Sequence, residues 1–371
     1  MNNKVCDKYN DNILWYYIIN KTKKSKMFNW FYGNSQNTPT TQVVPTAQTV
    51  PVTRRHYGWD IHETITEEEQ TKFPMKMMSY HANLSAVKEI DLSPLFPEVY
   101  DQEALGSCTA NAILGAYEYT MKKENEPYVQ MSRLGLYYME REKEHPNDMS
   151  TDTGAQIKTG VNITHNSGVG LEVLWPYDIS KFAEKPPDTF YDDLQYHKSV
   201  KIERIKRETK DIDQCLLDGC PVIFGFLVYS SFETPQVAQT GMVPIPDPSK
   251  EELLGGHAVC IVGLVKKNGK DYYKVRNSWS TSWGDQGHFY VEKAFMTTNL
   301  GLLGRPLCSD LWTIRRVVDN KNDPNIAETD EQKLEHVKQI LNVDSKTNEL
   351  EILFDGVRNL VLRVESNKSH M

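Results

Sequence analysis

The 371-residue sequence predicts an α+β fold, a helical half followed by a strand-rich half, with extensions at both ends. Two observations carry this. The turn-forming pair Gly106-Ser107 feeds a run of helix formers, Ala110, Ala112, Ile113, Leu114, Ala116 and Tyr117. From Pro221 onward short apolar runs recur instead: Pro221–Tyr229, Val259–Val265, Tyr272–Asn277, Gly287–Glu292 and Leu311–Arg315. The chain is long enough to bury a substantial core.

Taken in order, residues 1–33 are aromatic and partly basic. The apolar run Ile13–Ile19 is too short to cross a bilayer. Lys4 and Lys8 ahead of it are offset by Asp7 and Asp11, which makes a poor signal-peptide start. No signal peptide and no integral membrane segment are therefore expected. Residues 34–53, a Thr/Pro/Gln/Val tract with Pro39, Pro45 and Pro51, cannot pack a core and read as an extended linker. Residues 54–79 hold Tyr57-Gly58-Trp59-Asp60 and the acidic run Glu67-Glu68-Glu69. Ile90–Phe96 looks like the start of the main fold.

A helix from Cys108 to about Lys123 follows, then a second over Ser132–Lys143 with Leu134, Leu136, Tyr137 and Tyr138 on its apolar face. Thr151–Gln156 opens a third. Lys181–Lys210 is polar and reads as loop-rich, and Asp211–Gly219 reads as a helix closed by Gly219. Beyond the strand-rich half, residues 322–371 predict a linker, a helix over Asp330–Leu341, and strands Leu350–Phe354 and Asn359–Val364 around Asp355-Gly356.

A net charge of −8 without a long basic stripe argues against nucleic acid as a partner. The six cysteines are scattered, with no CxxC pair or zinc spacing, so neither a metal site nor a cofactor is expected.

Chemistry centres on Cys108. At the first turn of a helix, partial positive charge and free backbone N–H groups favour thiolate over thiol, and thiolate is the nucleophile. A base and an orienting group are also required. His257, at the head of a predicted short strand after Gly255-Gly256, follows Cys108 by 149 residues (257 − 108). Asn277 comes twenty residues later (277 − 257), ahead of Trp279 and Trp283. The Cys-to-His separation lies in the papain-type range.

With Gln102, Gly106-Ser107-Cys108-Thr109-Ala110-Asn111-Ala112, Gly256-His257 and Asn277-Ser278-Trp279 in this order, the chain resembles the papain-like cysteine peptidases. It resembles in particular the bacterial and viral cathepsin-like members that share the Gly-Ser-Cys-Thr-Ala-Asn-Ala stretch. The resemblance spans roughly Asp91 to Arg316. It implies a papain-like two-domain fold over 86–318: a helical half to about 210 carrying the nucleophile helix, and a β-barrel-like half over 211–318 carrying His257 and Asn277. Residues 1–85 would be a propeptide acting as an intramolecular inhibitor, and residues 319–371 a small C-terminal module.

The implied activity is that of a cysteine endopeptidase made as a zymogen, cutting proteins or peptides through a thioester on Cys108. His257 would move protons, Asn277 would orient it, and Gln102 with the Cys108 N–H would hold the oxyanion. Trp279 would shield the His257–Asn277 bond, and Gly154, Thr153 and Gly256 would offer backbone groups to the bound peptide. The Gly168–Tyr177 stretch matches the family's G-x-x-x-E-x-x-x-P-Y pattern and is expected to be structural. Two alternatives stand beside this: a cytosolic exopeptidase resembling bleomycin hydrolase, with the C-terminus in the cleft, and a silent papain-fold scaffold. Three residues depart from the family pattern. Thr109 replaces an aromatic, Leu105 replaces a framework cysteine, and Ser280 replaces a glycine. The missing framework cysteine fits a reducing compartment, and the resemblance implies an intracellular or virion-associated location.

Overall fold

A computed structural model describes residues 56–60, 75, 89–126, 128–301, 304–319, 349–355 and 359–365. All of them belong to one unit, Thr53–Met371. The proposed linker 34–53 and the helix expected over 330–341 lie outside the described residues.

Strand β1 (Ile90–Asp91) leads to helix α1 (Cys108–Lys123), which is buried from Cys108 to Met121. A sequence that is small or apolar on nearly every face demands such burial. Lys122 and Lys123 occupy its last turn, where cations suit the negative end of the helix. Helices α2 (Arg133–Glu144) and α3 (Ile157–Asn166) pack against α1, and Ser132 caps α2 by accepting from the Gly135 N–H. After α4 (Asp188–Asp193) come β2 (His197–Arg204), α5 (Thr209–Leu217) and β3 (Val222–Tyr229). The remaining elements are α6 (Pro235–Thr240), β4 (Met242–Val243), β5 (Leu253–Lys267), β6 (Lys270–Arg276), β7 (His288–Glu292), α7 (Lys293–Thr297), β8 (Asn299–Leu300), β9 (Arg305–Pro306) and β10 (Cys308–Asp319).

The main sheet runs β2-β10-β3-β5-β6-β7-β4, with β1 added on β5. Strand β3 is buried along its whole length, as an uninterrupted apolar run in a covered central strand requires. Its register sets Phe226 opposite His257 and Gly225 opposite Ala258. Helix α1 lies against β5 and β10, so the helical half and the sheet meet along the helix that begins with Cys108.

The structure departs from the sequence-based expectation at two described elements. The stretch 181–210 is not mainly loop, because β2 pairs with β10 across it. The inward residues of β2 include His197 and Ser199, whose polarity hides the strand. His197 pairs with Asp193 at 3.5 Å, and the Ser199 hydroxyl donates to Thr164 at 2.9 Å. Strand β5 is also longer than predicted, so His257 is its fifth residue rather than the head of a short strand. In the C-terminal stretch, β11 (Glu349–Asp355) and β12 (Asn359–Glu365) pair antiparallel, as their sequence suggests.

Candidate active site

The loop before α1 is fastened from several sides. The Gln102 N–H donates to the Ser278 carbonyl at 2.8 Å, and the Ser278 hydroxyl donates to Gln102 Oε1 at 2.6 Å. That pair fixes which end of the buried amide is the oxygen. Gln102 Nε2 is left to donate to the Leu105 carbonyl at 2.9 Å and toward the His56 carbonyl at 3.4 Å. The Tyr177 hydroxyl reaches the Gln102 carbonyl at 2.9 Å and the Ser107 hydroxyl at 2.6 Å. The Arg133 guanidinium lies 3.8 Å from the Tyr177 ring centre and donates to Asn111 at 2.9 Å. Asp152 accepts from the Gly106 N–H at 2.8 Å and from the Tyr137 hydroxyl.

From the sheet, β5 presents His257 and the turn after β6 presents Asn277. His257 Nε2 and Asn277 Oδ1 are 2.8 Å apart, and Oδ1 also accepts from the Ser278 N–H at 2.8 Å. Trp279 stacks on the His257 ring, with centroids 5.1 Å apart and planes at 27°, so indole covers the imidazole–amide bond. Trp283 and Phe232 pack edge-on against Trp279 at 5.0 and 5.4 Å. The Ala258 N–H, next to His257, donates to Cys108 Sγ at 3.4 Å.

Residues 56–60 lie across this constellation. The Trp59 N–H donates to the Gly256 carbonyl at 3.0 Å, the Ala155 N–H to the Gly58 carbonyl at 2.7 Å, and the Asp60 N–H to the Ala155 carbonyl at 3.0 Å. The result is a parallel bridge between Trp59 and Ala155. The Trp59 side chain is buried and rests on Gly225, where a Cβ would collide with the indole. The fit at Gly58 is as close, since a Cβ there would strike the Gly106 carbonyl. Tyr57 sits 5.9 Å from the His257 ring, edge-on, and donates its hydroxyl to Glu233. His56 Nδ1 pairs with Asp152 Oδ2.

This cover reverses the expectation of a thiolate. Cys108 is fully buried, and burial pushes its thiol up to about 12. The backbone amides of Ala258, Gly58 and Thr109 pull the other way, and the buried Glu140 carboxyl pushes further up. In a desolvated site the penalty on a charged sulfur outweighs the helix N-terminus. The thiol is protonated while residues 56–60 are in place.

Gln102, Cys108, His257, Asn277 and Trp279 thus come together, and Gly256 binds the covering segment through its carbonyl. Gly154 and Thr153 do not hold residues 56–60 through their N–H groups. The Gly154 N–H is taken by the Tyr137 hydroxyl at 3.0 Å, and the Thr153 N–H by the Thr151 carbonyl at 3.0 Å. Ala155, one residue on, makes both bonds. Gly154 supports it instead, at a φ of +74° with its Cα against Gly58.

Sequence reasoning also missed Ser278, Tyr177 and Asp152. Only the motif positions of Ser278 and Tyr177 hinted at them. The departures from the family pattern have local causes. The Thr109 hydroxyl donates to buried Glu140 at 2.6 Å. Ser280 holds a left-handed φ of 59°, and its N–H donates to the Tyr100 carbonyl at 2.9 Å. Among the described residues, the five cysteines are free, no group of acidic, His or Cys side chains suits a metal ion, and no helix is long and apolar enough to cross a membrane.

Comparison with known proteins agrees with this geometry. A family model described as papain family cysteine protease matches residues 88–301. An uncharacterized peptidase C1-like protein of Acanthamoeba polyphaga mimivirus is 42% identical over 237 residues, covering 61% of this chain and 73% of that protein. A viral cathepsin of Adoxophyes honmai nucleopolyhedrovirus is 23% identical over 292 residues, covering 77% of this chain and 75% of the relative. The crystal structure of xylellain, a cysteine protease from Xylella fastidiosa, superposes with a TM-score of 0.60 at 29% identity, covering 71% of this chain and 97% of xylellain. A family match over more than half of the chain and these relatives place the protein in a single group: it belongs to the papain family of cysteine proteases.

Proposed function

We propose that the chain is a cysteine endopeptidase made as a zymogen, with residues 56–60 as the inhibitory element of an N-terminal propeptide. The observation that carries this is the segment itself. It buries Cys108 and turns the Gly58 amide, rather than a carbonyl carbon, toward the sulfur. A nucleophile facing an N–H has nothing to attack.

Once the segment leaves, Cys108 attacks a peptide carbonyl and forms a thioester, which water then hydrolyses. The bond from His257 Nε2 to Asn277 leaves Nδ1 to exchange a proton with the thiol, the leaving amine and water in turn. Gln102 Nε2 and the Cys108 N–H stabilise the oxyanion, where loss of one donor costs roughly 3–4 kcal/mol of barrier. Trp279 keeps water off the His257–Asn277 bond. The carbonyl of Gly256 and both backbone groups of Ala155, now held by residues 58–60, would grip the substrate main chain.

The test is intact mass and a fluorogenic peptide assay on wild type and Cys108→Ala, with reductant, across a pH range. Wild type should lose an N-terminal piece as activity rises, and Cys108→Ala should do neither. Internal cuts in a denatured protein substrate identify an endopeptidase, whereas trimming from one end supports the exopeptidase alternative. Activity without shortening would make residues 1–85 an ordinary extension. Inertness of wild type under all conditions would favour a binding scaffold.

A further inference from the structure

Helix α5 ends in a turn that sets two cysteines against each other. Gly219 takes a φ of +68° just past its C-terminus. The Gly219 N–H donates to the Leu216 carbonyl at 2.9 Å, and the Cys220 N–H to the Cys215 carbonyl at 3.0 Å. This paired closure brings together the side chains at its first and last positions, here Cys215 and Cys220. The bond between the two residues also keeps their Cα atoms within about 7 Å, the limit for a disulfide. We propose that Cys220 and Cys215 form a peroxide-reactive dithiol, in which Cys220 attacks the oxidant and Cys215 resolves the product as an intramolecular disulfide. This reaction is independent of the peptidase activity proposed above. Phe226, which faces His257 across the sheet, is six residues beyond Cys220 (226 − 220), about 20 Å of extended chain.

Three features assign the roles. First, Cys220 faces cations. Lys123 Nζ donates to its sulfur at 3.5 Å and Arg315 Nη1 at 3.6 Å. Glu203 and Asp218 pair with Arg315 and hold it in place, and the Asp218 carbonyl accepts from Lys123 Nζ at 3.1 Å. Positive groups against a sulfur stabilise the negative charge it carries when it attacks. Second, Cys215 suits the later step. It is fully buried, and burial pushes its thiol up to about 12, with Cys220 adding to the rise, so it keeps its proton and does not lead the reaction. Third, Cys220 is 3% exposed, beneath the exposed Asp218 and the flexible stem of Lys123, which lies against Gly219. Such a cover admits a small uncharged oxidant, and hydrogen peroxide is of that class.

The steps balance. The Cys220 thiolate attacks one peroxide oxygen, an S–O bond forms as the O–O bond breaks, and the departing hydroxide takes up the proton the thiol released, giving water and a sulfenic acid. Cys215 then attacks the Cys220 sulfur. An S–S bond forms, the S–O bond breaks, and hydroxide leaves with the Cys215 proton as a second water. Two thiols lose two electrons in all, and one peroxide is reduced to two waters.

For the test, the reduced full-length chain is treated with hydrogen peroxide at neutral pH, and the remaining thiols are blocked with N-ethylmaleimide in denaturant. Asp-N protease cuts before Asp213 and Asp218, so fragment 213–217 stays joined to the fragment beginning at Asp218 only through a Cys215–Cys220 disulfide. That joined pair should form about tenfold faster than Cys260 or Cys308 oxidises, since their sulfurs face the Ile261 and Phe295 carbonyls. In Cys215→Ser, dimedone should capture a sulfenic acid at Cys220, and adding Lys123→Met should slow that capture severalfold. A link from Cys220 to any other cysteine overturns the inference. So does oxidation of Cys220 no faster than that of Cys260 and Cys308, or capture of a sulfenic acid at Cys220 in the variant with no disulfide in the wild type. The wild-type digest decides the matter even if a variant does not fold.

Discussion

Replacing Trp59 by alanine should open the covering segment roughly a hundredfold more often without altering Gln102, Cys108, His257 or Asn277. The indole is 4% exposed and lies over Gly225, so almost its whole surface leaves water when the segment docks. An aromatic side chain of this size buries about 150–250 Å². At about 25 cal/mol per Å² that corresponds to roughly 4–6 kcal/mol of docking free energy, as an upper bound. Water entering the vacated pocket recovers part of this, and about 3 kcal/mol is a reasonable net loss. Each 1.4 kcal/mol is a factor of ten, so the open fraction should rise roughly a hundredfold.

The assay is the rate of iodoacetamide modification at Cys108 in the full-length chain at neutral pH, located by peptide mass and checked against Cys108→Ala. Since the covered thiol is pushed up to about 12, Cys108 reacts only from the open state, and the rate reports the open fraction. Cys215, Cys220, Cys260 and Cys308 are also buried and provide internal controls. An unchanged Cys108 rate in Trp59→Ala, with the other cysteines still protected, would refute the claim that this side chain holds the segment shut.

Three other outcomes are expected. Burial lowers the affinity of His56 for a proton, but its bond to Asp152 raises its pKa above the ordinary 6.5 and Asp152 falls below 3.8. The pair therefore holds the segment best between those limits, weakens as pH rises through the raised His56 value, and weakens again in strong acid. Cys108 labelling followed against pH in wild type and His56→Ala should show the variant losing the His56-linked step. Ser278→Ala should free the Gln102 amide to rotate, lowering kcat by about tenfold or more with little change in KM; equal kcat would show that the other anchors suffice. Ser280→Gly relieves a left-handed residue and should stabilise the protein by up to about 1 kcal/mol, read as a small rise in Tm, and a fall would mean that its hydroxyl bond to Ser282 outweighs the strain.

Much of the candidate site's geometry was legible in the sequence, because the chemistry proposed for it calls for particular residue types in a fixed order. Cys108, His257, Asn277 and Gln102 have few substitutes, and the helix beginning at Cys108 could be placed through Lys123 from composition alone. Less legible were interactions made by backbone or by interchangeable side chains. Ala155 binds the segment through its N–H and C=O, which every residue but proline carries, so nothing in its identity marks it. Ser278 does its work through one hydroxyl inside a motif more easily recognised by its tryptophan. Strand β2 was missed because its inward face carries His197, which pairs with Asp193 four residues before it, and Ser199, which donates to Thr164 on α3, rather than apolar side chains. The role of His56–Asp60 could not be read locally either. Tyr57-Gly58-Trp59 is an unremarkable loop until Gly106, Gly225 and Ala155 are assembled around it.

The same assembly explains why Cys108 can sit at a helix N-terminus and yet have its thiol pushed up to about 12. A helix end stabilises a nearby negative charge by about 0.3–1 kcal/mol when exposed and up to about 2 kcal/mol when partly buried. Raising the thiol from 9.0 to about 12 corresponds to roughly 4 kcal/mol against the thiolate, so burial wins. Part of that burial belongs to residues that can leave. Departure of Tyr57, Gly58 and Trp59 admits water to the sulfur, reduces the larger penalty and leaves the helix end where it was. If residues 56–60 act as the proposed inhibitory element, occlusion and quenching are one interaction: the segment that would exclude substrate would also keep the proton on the nucleophile. The sign of the proton linkage follows. The covered state holds the Cys108 proton more tightly than the open state, so closure is favoured below the open-state pKa of the thiol and weakens as pH rises through it. His56 acts in the same direction, because its pairing with Asp152 also needs a proton. Both groups predict that the segment is shed more readily as pH rises, with Asp152 alone opposing them in acid.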